Sequence, residues 1–162
     1  MADPRWLSAD EQQAWRALTA VQMFLPGVLD AQLQRDAGLS HAEYVVLAML
    51  SEAPGRSLRM SELAGLASVS QSRLSHMVAR LESRGWVRRE RSALDGRGSV
   101  GVLTDQGWEL VARTAPEHAA AVREAVFDAL TPEQVLALRD ALSAVRARLE
   151  TLARGPVRPP GT

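Results

Sequence analysis

The sequence contains no cysteine, which excludes disulfide scaffolding, thiolate catalysis, Cys-ligated zinc and Cys-based redox sensing. Lysine is missing too, so mechanisms that need a lysine amine, the P-loop and the Schiff base, are also excluded. Asparagine and isoleucine share this absence and share AT-rich codons with lysine, so a GC-rich coding sequence accounts for arginine as the basic residue. The longest strongly apolar run, Val45 to Leu50, falls far short of the roughly 18 residues of a membrane span. Met1-Ala2-Asp3-Pro4 carries neither the basic nor the apolar region of a secretory signal, so a cytoplasmic protein with no membrane partner is expected. His41, His76 and His118 have no partner at metal-ligand spacing, and no G-x-S-x-G elbow occurs. No metal, cofactor or catalytic residue is expected.

What is present fits one compact domain over residues 1–162, with 46% hydrophobic and 23% charged residues. Ser8 to Glu11 reads as a capping box opening a long helix up to Gly38, with Pro26 as a kink. Ser40 to Glu43 repeats the box before a helix apolar on all sides, and therefore buried, that ends at Ala53-Pro54-Gly55. A short helix at 61–67, the turn Ser68-Val69-Ser70 and a helix from Gln71 to Arg84 make a helix-turn-helix. Strands are expected at 86–91 and 99–103, with a turn at Ala93-Leu94-Asp95-Gly96. Thr104 caps the next helix, in which Leu110, Val111, Val122, Val126 and Leu130 form a buried stripe and Pro116 bends or splits the rod at Thr114. Thr131-Pro132-Glu133-Gln134 starts a last helix, and Gly155 to Thr162 is a frayed tail. The fold class is mainly α with a small β-hairpin.

Gly96-Arg97-Gly98-Ser99-Val100-Gly101 matches the dinucleotide pattern G-x-G-x-x-G. Its context is wrong, because the glycines lead into the alternation of Val100 and Val102 rather than into a helix.

Formal net charge is zero, but its distribution is uneven. Residues 56–99 hold nine arginines against four acids, so this segment carries plus five and the remainder minus five. A basic module on an acidic frame suits contact with a phosphate backbone. On the helix from Gln71, residues Leu74, Met77, Val78 and Leu81 share one face. The opposite face carries Ser72, Arg73, His76, Arg80 and Ser83, and Gln71, Ser72, Arg73, Ser75 and His76 lie in the N-terminal half that recognition helices turn to base edges. Arg73 suits a guanine fork and Gln71 a bidentate adenine pair. Arg80 and Arg84 lie farther along, where phosphates are reached, and Ser70, Arg88, Arg89 and Arg91 complete the surface expected to meet DNA.

The last helix carries Val135, Leu138, Leu142, Val145, Leu149 and Leu152 at alternating steps of three and four, an a/d seam. It suits either a partner helix or a core stripe within one chain, and its length and its place outside the helix-turn-helix favour the partner.

Met60-Ser61-Glu62-Leu63-Ala64, Ser70 to Ser75, Arg80 to Arg89, Asp95-Gly96-Arg97 and Val102 to Gly107, in this order, resemble the MarR family (multiple antibiotic resistance regulators), over about residues 8–153. The resemblance implies a winged helix-turn-helix at about 40–104 and dimerisation helices at about 8–38 and 105–153, with a tail at 154–162. It also implies a homodimer and a wing whose Asp95 orients Arg97 into the minor groove. Effectors of such proteins are thought to bind between the dimer helices and the DNA-binding module, where Trp15, Tyr44 and His118 suit a small aromatic or weakly acidic compound. The function so implied is a transcription regulator, a homodimeric repressor on a near-palindromic operator, released by a small ligand. The competing readings are a winged-helix protein-interaction module without DNA binding and, on the glycine pattern alone, a small-molecule enzyme.

Overall fold

The computed structural model describes residues 5–91 and 98–153. The hairpin turn with Asp95 and Arg97, and the tail from Gly155, lie outside the described residues. The chain forms two compact units, residues 1–121 and 122–162.

The first unit opens with α1 (Ala9–Ala37). Its entry is the expected capping box: the Ser8 hydroxyl accepts the Glu11 N–H at 3.1 Å, and the Glu11 carboxylate accepts the Ser8 N–H at 2.7 Å. Its exit is Gly38 at φ +62°, a left-handed cap in which a Cβ would be unfavourable. Helix α2 (His41–Glu52) begins with the second box, on Ser40 and Glu43. Only Glu52 of this helix is exposed, as its all-round apolar character predicts. Leu33, Leu39, Val46, Leu47 and Leu50 then meet Leu63, Leu74, Val78 and Leu81 in one core, all of them fully buried.

A short strand, β1 (Ser57–Arg59), precedes α3 (Met60–Leu66) and was not expected from the sequence, since three residues are too few for an alternation to register. Helix α4 (Gln71–Ser83) follows, capped by Ser70, whose hydroxyl accepts the Arg73 N–H. Strands β2 (Val87–Arg91) and β3 (Ser99–Leu103) complete an antiparallel sheet of order β1-β3-β2. Arg91 lies opposite Ser99, and Gly101 lies between Leu58 and Arg89. The glycine pattern therefore runs into the sheet, with no helix before Asp105 to receive a pyrophosphate.

The link from sheet to α5 (Asp105–Ala125) is tightly drawn. The Thr104 hydroxyl donates to the Gly85 carbonyl at 2.7 Å and accepts the Gly107 N–H at 3.0 Å. A Cβ on Gly107 would sit 2.2 Å from the Trp86 carbonyl oxygen, so only glycine fits.

Two expectations need correction. Pro116 does not split α5, which is continuous through it, as α1 is through Pro26. Each proline sits on an exposed face, so the carbonyl it leaves unpaired one turn earlier is open to water. The stripe on α5 is buried at Leu110 and Val111 but only half-buried at Val122. Val126 and Leu130 lie beyond the helix, because the backbone at Val126 (φ −129°, ψ −59°) leaves the helical region before the single turn Phe127–Ala129.

In the second unit, α6 (Pro132–Ala153) starts at a box in which Thr131 and Gln134 exchange hydrogen bonds of 2.9 and 3.3 Å. No residue of α6 is buried. Among the described residues no helix is long and apolar enough to cross a membrane, and no group of three or more metal-ligating acid or histidine side chains occurs.

Candidate nucleic-acid interface

Helix α4 divides along its length as the sequence predicts. Leu74, Met77, Val78 and Leu81 are buried, while Gln71, Ser72, Arg73, Ser75, His76, Arg80 and Ser83 are exposed. The tight turn that presents it runs through Ser68 at φ +52°, where Ser68 N–H donates to Gly65 and Val69 N–H to Ala64. Beside α4 lies an open cleft of about 530 Å³, to which Asp30, Ser40, Ser70, Arg73, His76 and Arg80 contribute. The Asp30 carboxylate accepts the His41 N–H at 2.9 Å.

The arginines fall into two groups. Among the described residues, the side chains of Gln71, Arg73 and His76 meet no polar partner. Arg56, Arg80, Arg84, Arg88 and Arg89 are engaged within the protein. Arg56 reaches Asp105 at 3.0 Å and lies over the Trp108 ring at 4.2 Å. Arg84 donates to the Gly38 carbonyl at 2.8 Å and covers Trp86, so it serves as a cation at the C-terminus of α1. Reaching a phosphate would cost Arg84 these contacts. On β2, Arg88 pairs with Glu90 and Arg89 with Glu82, each at 2.6 Å, and Arg91 is exposed at the strand end. Arg80 donates from Nε to Glu43 at 3.0 Å, a pair in which Arg80 is 61% exposed and Glu43 only 11%. Burial alone would raise the Glu43 pKa, but hydrogen bonds from Ser40 and Arg80 outweigh it and hold the carboxyl below its usual value.

Of the residues expected to hold an effector, the structure joins two and leaves out the third. The Tyr44 and His118 rings lie 4.4 Å apart, His41 stands 5.8 Å from His118, and His118 Nδ1 is 2.9 Å from the Gln32 side-chain oxygen. Burial lowers the pKa of both histidines; the neighbouring His41 lowers His118 further, while Asp30 partly restores His41. Burial also raises Tyr44. Trp15 is not part of this cluster. It sits exposed on α1, about 25 Å along the helix axis from Gln32 at 1.5 Å per residue. Gln32 and His41 were missed because they reach the cluster only through the packing of α1 and α2 against α5, to which no local sequence signal points.

The seam on α6 is open. Val135 and Leu138 are half-buried, and Leu142, Val145, Leu149 and Leu152 are exposed, up to 58% at Leu149. Separately, the first part of α1 and the residues before it expose Trp6, Trp15, Met23 and Phe24.

Comparison with known proteins agrees with this geometry. Residues 37–98 match the model of the MarR family. The repressor Rv2887 of Mycobacterium tuberculosis is 35% identical over 97 residues, which cover 60% of this chain and 68% of that protein. Sco3205 of Streptomyces coelicolor, a MarR family transcriptional regulator solved in complex with DNA, is 50% identical, with a TM-score of 0.87 over 96% of this chain and 94% of that one. AbsC, from the same organism, is 40% identical, with a TM-score of 0.85 over 91% and 99%. The chain therefore belongs to the MarR family, a family of winged-helix transcriptional regulators and not of enzymes.

Proposed function

We propose that the protein is a homodimeric, cytoplasmic repressor that binds a near-palindromic DNA operator and is released from it by a small ligand. The observation that carries DNA binding is the N-terminal half of α4, where Gln71, Arg73 and His76 stand exposed and, among the described residues, without polar partners, beside the cleft that Arg73, His76 and Arg80 line. Arg73 and Gln71 read base edges in the major groove. Ser70, Ser72, Ser75, Arg80 and the arginines of β2 contact the backbone, and Asp95 and Arg97 at the wing tip serve the minor groove. Dimerisation is supported by the open seam from Val135 to Leu152 and by the exposed apolar side chains of α1. Its consequence is a pair of α4 helices spaced about one DNA turn, roughly 34 Å. A single-domain organisation, with the DNA-binding module at about 40–104, belongs to the same proposal.

For the effector, Tyr44 and His118 remain the expected contacts, now with Gln32 and His41 in place of Trp15. Aromatic faces and neutral imidazoles meeting in a half-buried site suit a small aromatic or weakly acidic compound.

The test is binding to the DNA upstream of the protein's own gene over a salt series. A steep linear fall of log affinity with log salt is expected, because phosphate contacts release counterions. A flat response, or none above background, contradicts the proposal.

A further inference from the structure

Glu43 was expected to do one thing, to close the capping box of α2. In the structure its two carboxylate oxygens have separate tasks. Oε2 accepts from the Ser40 backbone N–H and hydroxyl, each at 2.9 Å. Among the described residues Oε1 accepts only from Arg80, on α4, at 3.0 Å. The capping task needs no charge, since glutamine closes the same box as well as glutamate does. A buried carboxylate is thus spent on fixing one exposed arginine, and that arginine lines the cleft beside the N-terminal half of α4.

We propose that Glu43 is a positioning residue for DNA binding: by holding Nε of Arg80 it leaves the two terminal nitrogens of the guanidinium set to receive a backbone phosphate in that cleft. The inference rests on the DNA-binding proposal above. An unheld arginine of this exposure would lose its rotamer freedom on meeting DNA, whereas the contact with Glu43 orders it beforehand. Arginine suits the arrangement because its planar fork serves two partners at once, Nε inward and the terminal nitrogens outward. Lysine has a single nitrogen and cannot divide in this way.

The two ways of reading Glu43 differ in sign. If the carboxylate were only a cap, Glu43→Gln would remove a negative charge from beside the DNA and leave binding unchanged or tighter. Positioning predicts weaker binding, roughly three- to tenfold for one side chain no longer ordered in advance.

The experiment measures the wild type, Glu43→Gln, Arg80→Ala, Arg80→Lys and the double variant Glu43→Gln/Arg80→Ala across a salt series. The probes are a duplex selected by the wild type from a randomised pool and a random-sequence duplex of equal length. Arg80→Ala should weaken binding to both duplexes by similar factors and reduce the salt slope by about one. Arg80→Lys should keep most of that loss, and because Arg80 is exposed, this variant tests the proposal even if Glu43→Gln fails to fold. Adding Glu43→Gln to Arg80→Ala should produce no further weakening. The proposal is overturned if Glu43→Gln binds as well as the wild type, if it weakens the Arg80→Ala protein equally, or if Arg80→Lys restores full affinity. These results differ from a failure of DNA binding itself, in which the wild type binds neither duplex in a salt-dependent way and Arg73→Ala changes nothing.

Discussion

Helices α4 and α6 carry apolar residues at the same helical spacing, yet they have opposite fates. In α4 the stripe Leu74, Met77, Val78 and Leu81 is buried within the chain, and the polar face is left over. In α6 the stripe is longer, and it buries nothing fully. Periodicity therefore identifies a face that needs covering, but not what covers it. The face of α4 is covered by the chain's own α2, α3 and sheet; the face of α6 is left open, and the proposed homodimer would cover it. In the proposed function one helix recognises and the other pairs.

The largest effect should come from breaking the α6 side of this contrast. Leu142→Asp with Leu149→Asp places two charges in the seam, where desolvation cannot be compensated. Sedimentation should show monomers, and operator affinity should fall at least about a hundredfold, because two half-sites are no longer bound together. A variant that stays dimeric with full affinity would move the dimer interface elsewhere. On the α4 side, Leu81→Ala should instead leave the native protein dimeric while costing about 2 to 5 kcal/mol in denaturant unfolding, the usual cost of a cavity in a closed core.

Next in size is Gly107→Ala. With the Trp86 carbonyl where the new Cβ must go, the helix start or the sheet end has to shift, at a cost of about 1 to 3 kcal/mol. Thermal unfolding reads this directly, and an unchanged midpoint would mean that the junction yields more easily than its geometry implies.

The smallest effect concerns pH. His41 and His118 have folded pKa values below their unfolded value near 6.5, so the unfolded chain binds more protons in the window just below it. Stability is then complete above about pH 6.5 and declines as pH falls through the folded values. Replacing both histidines with glutamine should flatten that decline. A decline of equal steepness in the double variant would assign it to other groups, Glu43 among those nearby.

The sequence revealed most where the signal was local. Both capping boxes, the glycine stop at 38, the two faces of α4 and the start of α6 are each written within four or five residues, so they were legible. Strand β1 was not, because its three residues gain their identity from pairing with Val100 to Val102. Of the two outcomes expected at Pro116, a bend or a split, the split did not occur, because a proline on an exposed helix face can be accommodated without ending the helix. The second task of Glu43 and the tie from Arg84 to Gly38 join residues 37 and 46 positions apart, a distance over which composition and spacing are silent. The site was legible as a face, Gln71 to His76. Which arginines of that face are available, and which are already committed, required the fold.

The central claim is that α4 reads base sequence through Arg73, and it is tested most directly by comparing Arg73→Ala with the wild type on the selected duplex and on random DNA. The account predicts a loss of roughly 1 to 3 kcal/mol on the selected duplex, a much smaller loss on random DNA, and a relaxed preference at one base pair of each half-site. Equal losses on both duplexes would make Arg73 a phosphate contact and contradict the claim.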